Sequence, residues 1–281
     1  MCVSVCVCVC VCVYLYVCVC VCVYVYLYVC VYVCVCVCVC LPGAVQSGIF
    51  GGREAKPHSR PYMASLQTGG HHVCGGVLIR QDYVLTAAHC LKPTEVLLGA
   101  HNISMKEGSQ QRVKIAAIHK NPLHLNPKEH LYDIMLVKLA TKARVNGKVQ
   151  VLDLPAEGAK GLECSVAGWG MAAPKSSAQS VLQEAAVQLD DPSQCRCLWR
   201  GHYNSKQMLC SFTGGRSGFC QGDSGGPLVC QSKLYGIVAY TATRCNSYRY
   251  PQVYMNVSFF LPWIREVLEG SHPTHHTNLL V

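Results

Sequence analysis

The first 40 residues lack charge altogether, because they contain no Lys, Arg, Asp or Glu. Val alternates there with Cys or Tyr almost without a break. The absence of a charged start and of a discrete apolar core excludes a typical secretory signal peptide. Cys or Tyr at every second place is likewise untypical of a membrane span, so no span is expected. We interpret residues 1–40 as a low-complexity repeat that is artefactual or disordered.

This repeat also lacks the interruptions that separate strands. Period-two alternation favours a β-strand, but strands usually run roughly 3–10 residues, so one strand over the whole repeat is not expected. TGT-GTG is a dinucleotide repeat that reads in frame as Cys-Val, with TAT for Tyr as its variant. We therefore hypothesise a mis-assigned first exon or translated simple-sequence DNA, with the true signal peptide missing. A membrane-anchored form held by residues 1–40 is the lesser alternative.

Acidic residues are few, 15 Asp and Glu against 24 Lys and Arg, and the net charge of +9 falls entirely after residue 40. A basic surface suits docking on anionic glycosaminoglycans or cell surfaces, and equally suits plain solvation. Nucleic acid is disfavoured because no recognised binding motif is present. Basic residues of the first half include Lys56, Arg60, Lys106, Arg112, Lys114, Lys120, Lys128, Lys142, Arg144 and Lys148.

Outside the repeat the cysteines lack CxxC pairing, which argues against a zinc site. Their number is odd and eight can pair, as in a secreted, oxidised domain. The histidines of the tail, residues 271–281, have no companion site, so neither a metal nor a cofactor is predicted. The nine cysteines are Cys74, Cys90, Cys164, Cys195, Cys197, Cys210, Cys220, Cys230 and Cys245.

A glycine-rich stretch surrounds Ser224 at residues 220–230. Its glycines let the chain turn sharply and bring bare N–H groups close to the hydroxyl. An acyl-transfer nucleophile needs this arrangement, with amide donors aimed at the oxygen that becomes negative. On this stretch alone, a glycine-rich turn between two strands is the alternative.

Two more stretches supply the groups that activate a serine. The hydroxyl needs an imidazole to take its proton, and the imidazole needs a third group to fix its tautomer. An apolar run ends in His89, and Asp133 begins another. Either residue alone would usually lie on the surface or in a cap, but the order His, Asp, Ser predicts a catalytic triad.

The motifs TAAHC at 86–90, DIMLVKL at 133–139 and GDSGGPL at 222–228 resemble those of chymotrypsin-like serine proteases. The resemblance runs from about Ile49 to Leu268. It implies an all-β fold of two antiparallel six-stranded β-barrels packed across a catalytic cleft, with a C-terminal helix. The stretches GGREA at 51–55 and PYM at 61–63 are most similar to the granzyme, mast-cell and neutrophil granule proteases.

The chain is therefore divided into the repeat at 1–40, a linker or activation segment at 41–48, a protease domain at 49–270 and a disordered tail at 271–281. The boundary between the barrels is expected near 145–160, and the closing helix ends at about Gly270. Short runs rich in β-branched residues and bounded by turn residues predict the strands. They are 62–67, 73–79, 83–86, 95–98, 112–118, 134–139, 150–154, 163–167, 182–189, 207–210, 227–229, 234–240 and 253–257.

The resemblance implies a role for each catalytic residue. His89 acts as general base and then general acid, Asp133 orients it, and the N–H groups of Gly222 and Ser224 form the oxyanion hole. Ala239 stands where the family has a serine, so support for Asp133 is expected to be weaker.

The resemblance also implies zymogen activation, in which a new Ile49 ammonium pairs with Asp223. Phe50 is larger than the usual residue and is expected to strain this insertion. No Lys or Arg precedes Ile49, and Ser47-Gly48 fits the dipeptide that is removed from granule proteases.

The substrate pocket lacks the floor carboxylate of trypsin-like members, because Gly218 stands there. The side chains of Phe219, Thr241 and Gln252 are expected to narrow the pocket. Substrates with an uncharged side chain of small to medium size are therefore expected to be preferred over those with Lys or Arg. The alternative is a weak or inactive homologue that acts as a basic binding protein. The pocket residues implied are Gly218, Phe219, Ala239, Tyr240, Thr241 and Gln252.

The resemblance further implies a secreted or granule-stored hydrolase of protein and peptide substrates, inhibited by serpin-type proteins. Asn102 and Asn256 begin glycosylation sequons, and Asn102 is the better candidate because it lies in an apparent loop. Cys197 is left over and could exchange with Cys195. The implied disulfides are Cys74–Cys90, Cys164–Cys230, Cys195–Cys210 and Cys220–Cys245.

Overall fold

A computed structural model describes residues 18–25, 33–40, 49–90, 92–126, 130–155, 163–172, 177–212 and 214–270. The linker 41–48, with its predicted dipeptide, and the tail 271–281 lie outside the described residues. The chain divides into two compact units, Met1–Val45 and Gln46–Val281.

The repeat contains two strands, β1 (Cys18–Val25) and β2 (Val33–Cys40), which pair antiparallel. Cys18 lies opposite Cys40 at one end of this pair. The interpretation of residues 1–40 as an artefactual or disordered repeat stays a prediction. Alternation with period two suits a strand, and eight residues is an ordinary strand length.

Six strands of the second unit close into a barrel in the order β4-β5-β6-β9-β8-β7. Most of their inward side chains are fully buried aliphatic residues, and β8 alternates between half-buried and exposed positions along much of its length. The barrel strands are β4 (Met63–Thr68), β5 (His71–Arg80), β6 (Tyr83–Thr86), β7 (Glu95–Leu98), β8 (Gln111–Lys120) and β9 (Met135–Leu139). The strand that precedes them, β3 (Arg53–Glu54), belongs to the other sheet.

The remaining strands form a seven-stranded sheet in the order β12-β15-β14-β13-β10-β11-β3. Its seventh strand is the short β3, which pairs with the edge of β11. The mostly-β fold with a closed six-stranded barrel and a C-terminal helix is confirmed. These strands are β10 (Glu163–Gly168), β11 (Gln183–Gln188), β12 (Met208–Ser211), β13 (Pro227–Cys230), β14 (Lys233–Tyr240) and β15 (Gln252–Asn256).

Two α-helices complete this unit, α1 (Pro192–Trp199) and α2 (Val257–Glu269). Asp191 caps α1 by accepting the Ser193 N–H at 2.7 Å, and a short 3₁₀ turn, Arg200–His202, follows it. Asn256 caps α2, whose apolar face packs into the core, and Gly270 ends it in the left-handed region. No helix in the described ranges is long and apolar enough to cross a membrane.

Candidate active site

The pairing of two barrel strands brings His89 and Asp133 together. Thr86 at the end of β6 lies opposite Met135 at the start of β9, so the residues just beyond them meet at one barrel edge. Asp133 is 1% exposed. Its Oδ2 lies 2.6 Å from His89 Nδ1, and its Oδ1 accepts the His89 backbone N–H at 2.8 Å. The carboxylate therefore holds both the ring and the main chain of the histidine.

The electrostatics of this pair favour an ionised carboxylate beside a basic imidazole. Burial lowers the pKa of His89, but the hydrogen bond and the charge of Asp133 outweigh burial and raise it above its ordinary value. Burial raises the pKa of Asp133, while the hydrogen bonds and charge of His89 bring it below its ordinary value. The imidazole is thus prepared to accept a proton.

Ser224 lies in a turn that is clamped on both sides. Its carbonyl accepts the Gly75 N–H at 2.8 Å, and the Gly225 N–H donates to Val238 O at 2.8 Å. Gly225 has φ +79°, and a Cβ there would lie 2.0 Å from Thr86 Oγ1. Within the described ranges no hydrogen bond joins Ser224 Oγ to His89, and such bonds are often long in substrate-free sites.

Gly222 turns the chain just before the serine, with φ +93°. A Cβ on it would lie 3.0 Å from Gly170 Cα, so both the conformation and the space require glycine. Its carbonyl lies 2.9 Å from His72 Nε2. Over the part of the chain that is described, the N–H groups of Gly222 and Ser224 donate to no protein acceptor. Two amide donors are thus left for an oxyanion.

Asp223 is fully buried in a loop of glycines. Its Oδ1 accepts the Gly170 N–H at 2.8 Å and its Oδ2 accepts the Cys220 N–H at 2.9 Å. Burial outweighs these bonds and raises the pKa of Asp223 to about 7. Ile49 is also fully buried, in an apolar cluster with Phe219 and Tyr254, and has φ +51°. In the intact chain the Ile49 nitrogen is a peptide nitrogen, so it brings no positive charge.

Three residues of the predicted pocket are in direct contact with one another. Gln252 Oε1 accepts the Phe219 N–H at 3.1 Å, and its Nε2 donates to Phe219 O at 2.8 Å. A Cβ on Gly218, whose φ is +142°, would lie 2.1 Å from that Oε1. Phe219 is 2% exposed and packs edge-on against the Tyr254 ring at 5.3 Å. The Gln252 amide therefore takes the space next to Gly218, and the Phe219 ring is buried beside it.

Phe50 pairs directly with this floor. The Gly218 N–H donates to Phe50 O at 3.0 Å. The Phe50 side chain is buried in a cluster with Cys220 and Cys245, against which Met171 packs. The structure thus gives the large ring a place beside a disulfide.

One wall of the site is an aromatic stack that the sequence analysis missed. The His130 ring lies on Tyr240 at 4.0 Å between centroids, nearly parallel, and Trp199 meets Tyr240 edge-on at 5.0 Å. The position of His130, three residues before Asp133, was the available signal. Thr241 follows this stack, and its hydroxyl oxygen is buried with no protein partner in the described part of the chain. Ala239 is buried within β14.

Four disulfides brace the unit, in the pairs that the resemblance implies. Cys74–Cys90 holds the loop that carries His89, and Cys220–Cys245 joins the two segments beside the pocket. Cys197 is free and exposed on α1. Cys164–Cys230 and Cys195–Cys210 complete the set.

The two sequon asparagines have structural contacts. Asn102 is half-buried in a loop, where its Oδ1 accepts the Ser104 N–H at 2.9 Å. Asn256 Oδ1 caps α2 through the Ser258 N–H at 3.2 Å. No cluster of three or more metal-ligating side chains occurs in the ranges that the structure describes.

Comparisons with known proteins agree with this geometry. The family model described as Trypsin matches residues 49–264. Serine protease 57 of Rattus norvegicus is 41% identical over 82% of this chain and 86% of its own. Granzyme H of Homo sapiens is 42% identical over 81% and 94%, and cathepsin G of Mus musculus 40% over 84% and 91%. The solved structure of neuropsin, a serine protease expressed in the limbic system of mouse brain, has a TM-score of 0.75 and 34% identity, covering 78% of this chain and all of its own.

Proposed function

The chain belongs to the trypsin family of serine proteases, and on that premise we propose that it is a granzyme-like serine endopeptidase with Ser224 as nucleophile. The observation that carries the proposal is the buried Asp133 carboxylate 2.6 Å from His89 Nδ1, beside the turn that presents Ser224. Proteases of this family are hydrolases that act on peptide bonds, so protein and peptide substrates follow from membership.

The reaction proceeds in two acyl-transfer steps. Ser224 Oγ attacks the scissile carbonyl carbon while His89 Nε2 takes its proton, and the imidazolium then gives that proton to the leaving amine. Water attacks the acyl-enzyme in the second step with the same base. Asp133 fixes the tautomer and stabilises the imidazolium. The N–H groups of Gly222 and Ser224 hold the oxyanion, and loss of one such donor costs roughly 2.7–4 kcal/mol.

Activation is by cleavage before Ile49. The new ammonium would pair with Asp223, which is supported by the complete burial of both residues. An isolated buried carboxylate is unfavourable, and a paired cation relieves it. Because residue 48 is glycine and no basic residue precedes Ile49, the activating enzyme removes a short non-basic segment rather than cutting after Lys or Arg.

The substrate side chain in the primary pocket is uncharged and of small to medium size. Gly218 offers no carboxylate to a basic group, and the Gln252 amide and the Phe219 ring shorten the pocket. The Thr241 hydroxyl, without a protein partner among the described residues, makes this part of the pocket more polar.

The setting is secretion or storage in a granule. Relatives named granzyme and cathepsin G and four disulfides support an oxidising route. The positive charge supports association with anionic glycosaminoglycans, and serpin-type inhibitors follow by family resemblance.

A non-catalytic binding protein on the same fold is the second candidate. The Gln252 amide against Gly218 favours it, because it takes space at the proposed pocket floor. Ala239, which brings no hydroxyl to Asp133, points the same way.

The test uses protein that begins at Ile49 and a fluorophosphonate probe. We expect labelling of this protein, none of Ser224→Ala, and unchanged labelling of Ser193→Ala, which alters an exposed serine of α1. Absence of labelling in a folded protein with all four disulfides would overturn the catalytic proposal and favour the binding protein. If the protein is labelled, a peptide library would test the prediction that cleavage after Lys and Arg is disfavoured.

A further inference from the structure

A chain of hydrogen bonds runs from the protein surface to the Gly222 carbonyl. Arg112 Nη1 donates to Gln67 Oε1 at 2.6 Å, and Gln67 Nε2 donates to Ser65 Oγ at 3.1 Å. Ser65 Oγ lies 2.8 Å from His72 Nδ1, and His72 Nε2 lies 2.9 Å from Gly222 O. Side chains of β4, β5 and β8 therefore lead directly to the oxyanion loop.

The donors in this chain all point the same way. A carbonyl oxygen only accepts, so His72 Nε2 carries a hydrogen, and the neutral ring presents a lone pair at Nδ1. Burial lowers the pKa of His72, which agrees with a neutral ring. Ser65 must then donate to His72 and accept from Gln67, whose oxygen accepts from the guanidinium. Bonds aligned head to tail from a cation polarise one another and strengthen the last one.

The inner links are buried and the outer end is accessible. Ser65 is 0% and Gln67 1% exposed, whereas the Arg112 side chain is 44% exposed. Glu95 holds Arg112 in place at 3.1 Å and also pairs with Lys114 at 3.2 Å. A surface residue thus sets the polarity of hydrogen bonds whose inner members, Ser65 and Gln67, are buried away from water that could replace a lost partner.

The hydrogen-bond chain ends at Gly222, whose backbone needs support from its surroundings. Gly222 has no Cβ and sits at φ +93°, so packing of a side chain cannot fix its peptide planes. The His72 bond to its carbonyl restricts them, and the N–H of the same residue is an oxyanion donor in the proposed function.

We propose that Arg112 and Gln67 are positioning residues, which act through Ser65 and His72 to orient the Gly222 N–H for the developing oxyanion. This inference rests on the proposed function for its effect on rate. Its structural part, the coupling of Arg112 to Gly222, stands on the hydrogen bonds alone.

The kinetic test compares Arg112→Leu with Lys114→Leu, which pairs with the same Glu95 but lies outside the chain of bonds. Arg112→Leu is expected to lower kcat about three- to tenfold with little change in KM, and to weaken a peptide-aldehyde inhibitor in parallel. Arg112→Lys, which keeps a cationic donor, should recover part of kcat, and Lys114→Leu should leave both constants unchanged. Equal effects of the two leucine variants, or a loss confined to KM, would overturn the proposal.

The second measurement does not depend on catalysis. In Ser224→Ala protein, the amide resonance of Gly222 is followed by NMR with and without Arg112→Leu or Lys114→Leu. We expect the Gly222 resonance to shift with Arg112→Leu and not with Lys114→Leu. An unmoved Gly222 resonance would overturn the coupling even if the enzyme is active. A shift in the Ser224→Ala protein, combined with no fluorophosphonate labelling of the protein that retains Ser224, would keep the coupling and refute the protease function instead.

Discussion

Gly218 illustrates how one residue depends on a distant side chain. Its lack of a Cβ leaves room for the Gln252 amide, which satisfies both backbone groups of Phe219. The floor therefore cannot be changed at position 218 alone, because its φ is +142° and its space is taken.

At this scale we predict that Gly218→Asp will not create activity against Lys or Arg. Its Cβ would lie 2.1 Å from Gln252 Oε1, so the segment must shift. The double variant Gly218→Asp, Gln252→Gly removes this clash, although the strain of φ +142° remains, and should show more cleavage after basic residues than either single variant. Initial rates on matched Arg and Val peptide substrates provide the measurement. Basic activity in the single variant equal to that of the double would contradict this account.

The triad illustrates what could be predicted residue by residue. His89, Asp133 and Ser224 stand in motifs, so their identity follows from the sequence. The bonds of Gln252 and the stack of His130 on Tyr240 could not be predicted, because each joins residues that are 33 and 110 positions apart and share no motif.

Two loops form an interlocked element beside the nucleophile. Gly168 and Gly170 lie against the Asp223 carboxylate, which accepts the Gly170 N–H. The Met171 N–H also donates to Gln221 O at 2.7 Å. The loop at 168–171 thus packs closely against the turn at 220–223 and holds its conformation.

We predict that Gly170→Ala disables the site, because its Cβ would lie 2.5 Å from the Asp223 carboxyl carbon. Labelling of Ser224 should be lost or slowed by at least about tenfold, with a lower thermal midpoint. Gly108→Ala is the matched control, since no atom lies within 4 Å of its added Cβ. Equal labelling of both variants would show that close packing of residues 168–171 on 220–223 is not needed.

The elements were predictable where the alternation was clear. The barrel strands have β-branched runs between turn residues, and all six appear. Helix α1 was missed because its residues are mostly exposed and only Cys195 is buried, so its cap and disulfide determine it rather than an apolar face. The strand predicted at 150–154 is wrong. Its backbone reaches Pro61 and Leu78 through single hydrogen bonds and joins no sheet.

At the scale of the whole molecule, the intact chain carries an uncompensated buried acid. The pKa of Asp223 is raised to about 7 from an ordinary 3.8, so the folded state binds more protons than the unfolded state between those values. The free energy of unfolding must then fall as pH rises through this window. Release of the Ile49 ammonium would remove the cause.

We therefore predict opposite pH responses for two forms of the protein. A chain that begins at Ser47 should lose up to about 4 kcal/mol of stability between pH 4 and 7 relative to its own Asp223→Asn variant. A chain that begins at Ile49 should lack this loss. Urea unfolding at pH 5 and pH 7.5 measures the difference. The same pH response in both forms would refute pairing between Ile49 and Asp223.

The hydrogen bond between Phe50 and Gly218 has an evolutionary consequence. Phe50, next to the proposed cleavage point, is joined through its backbone to Gly218 at the proposed pocket floor, so a shift of one segment displaces the other. Grafting the pocket loop of a relative into this chain would import a floor matched to a different neighbour. Under the proposed function, substrate preference and the maturation site are therefore expected to change together in evolution, as one unit of selection rather than as exchangeable parts.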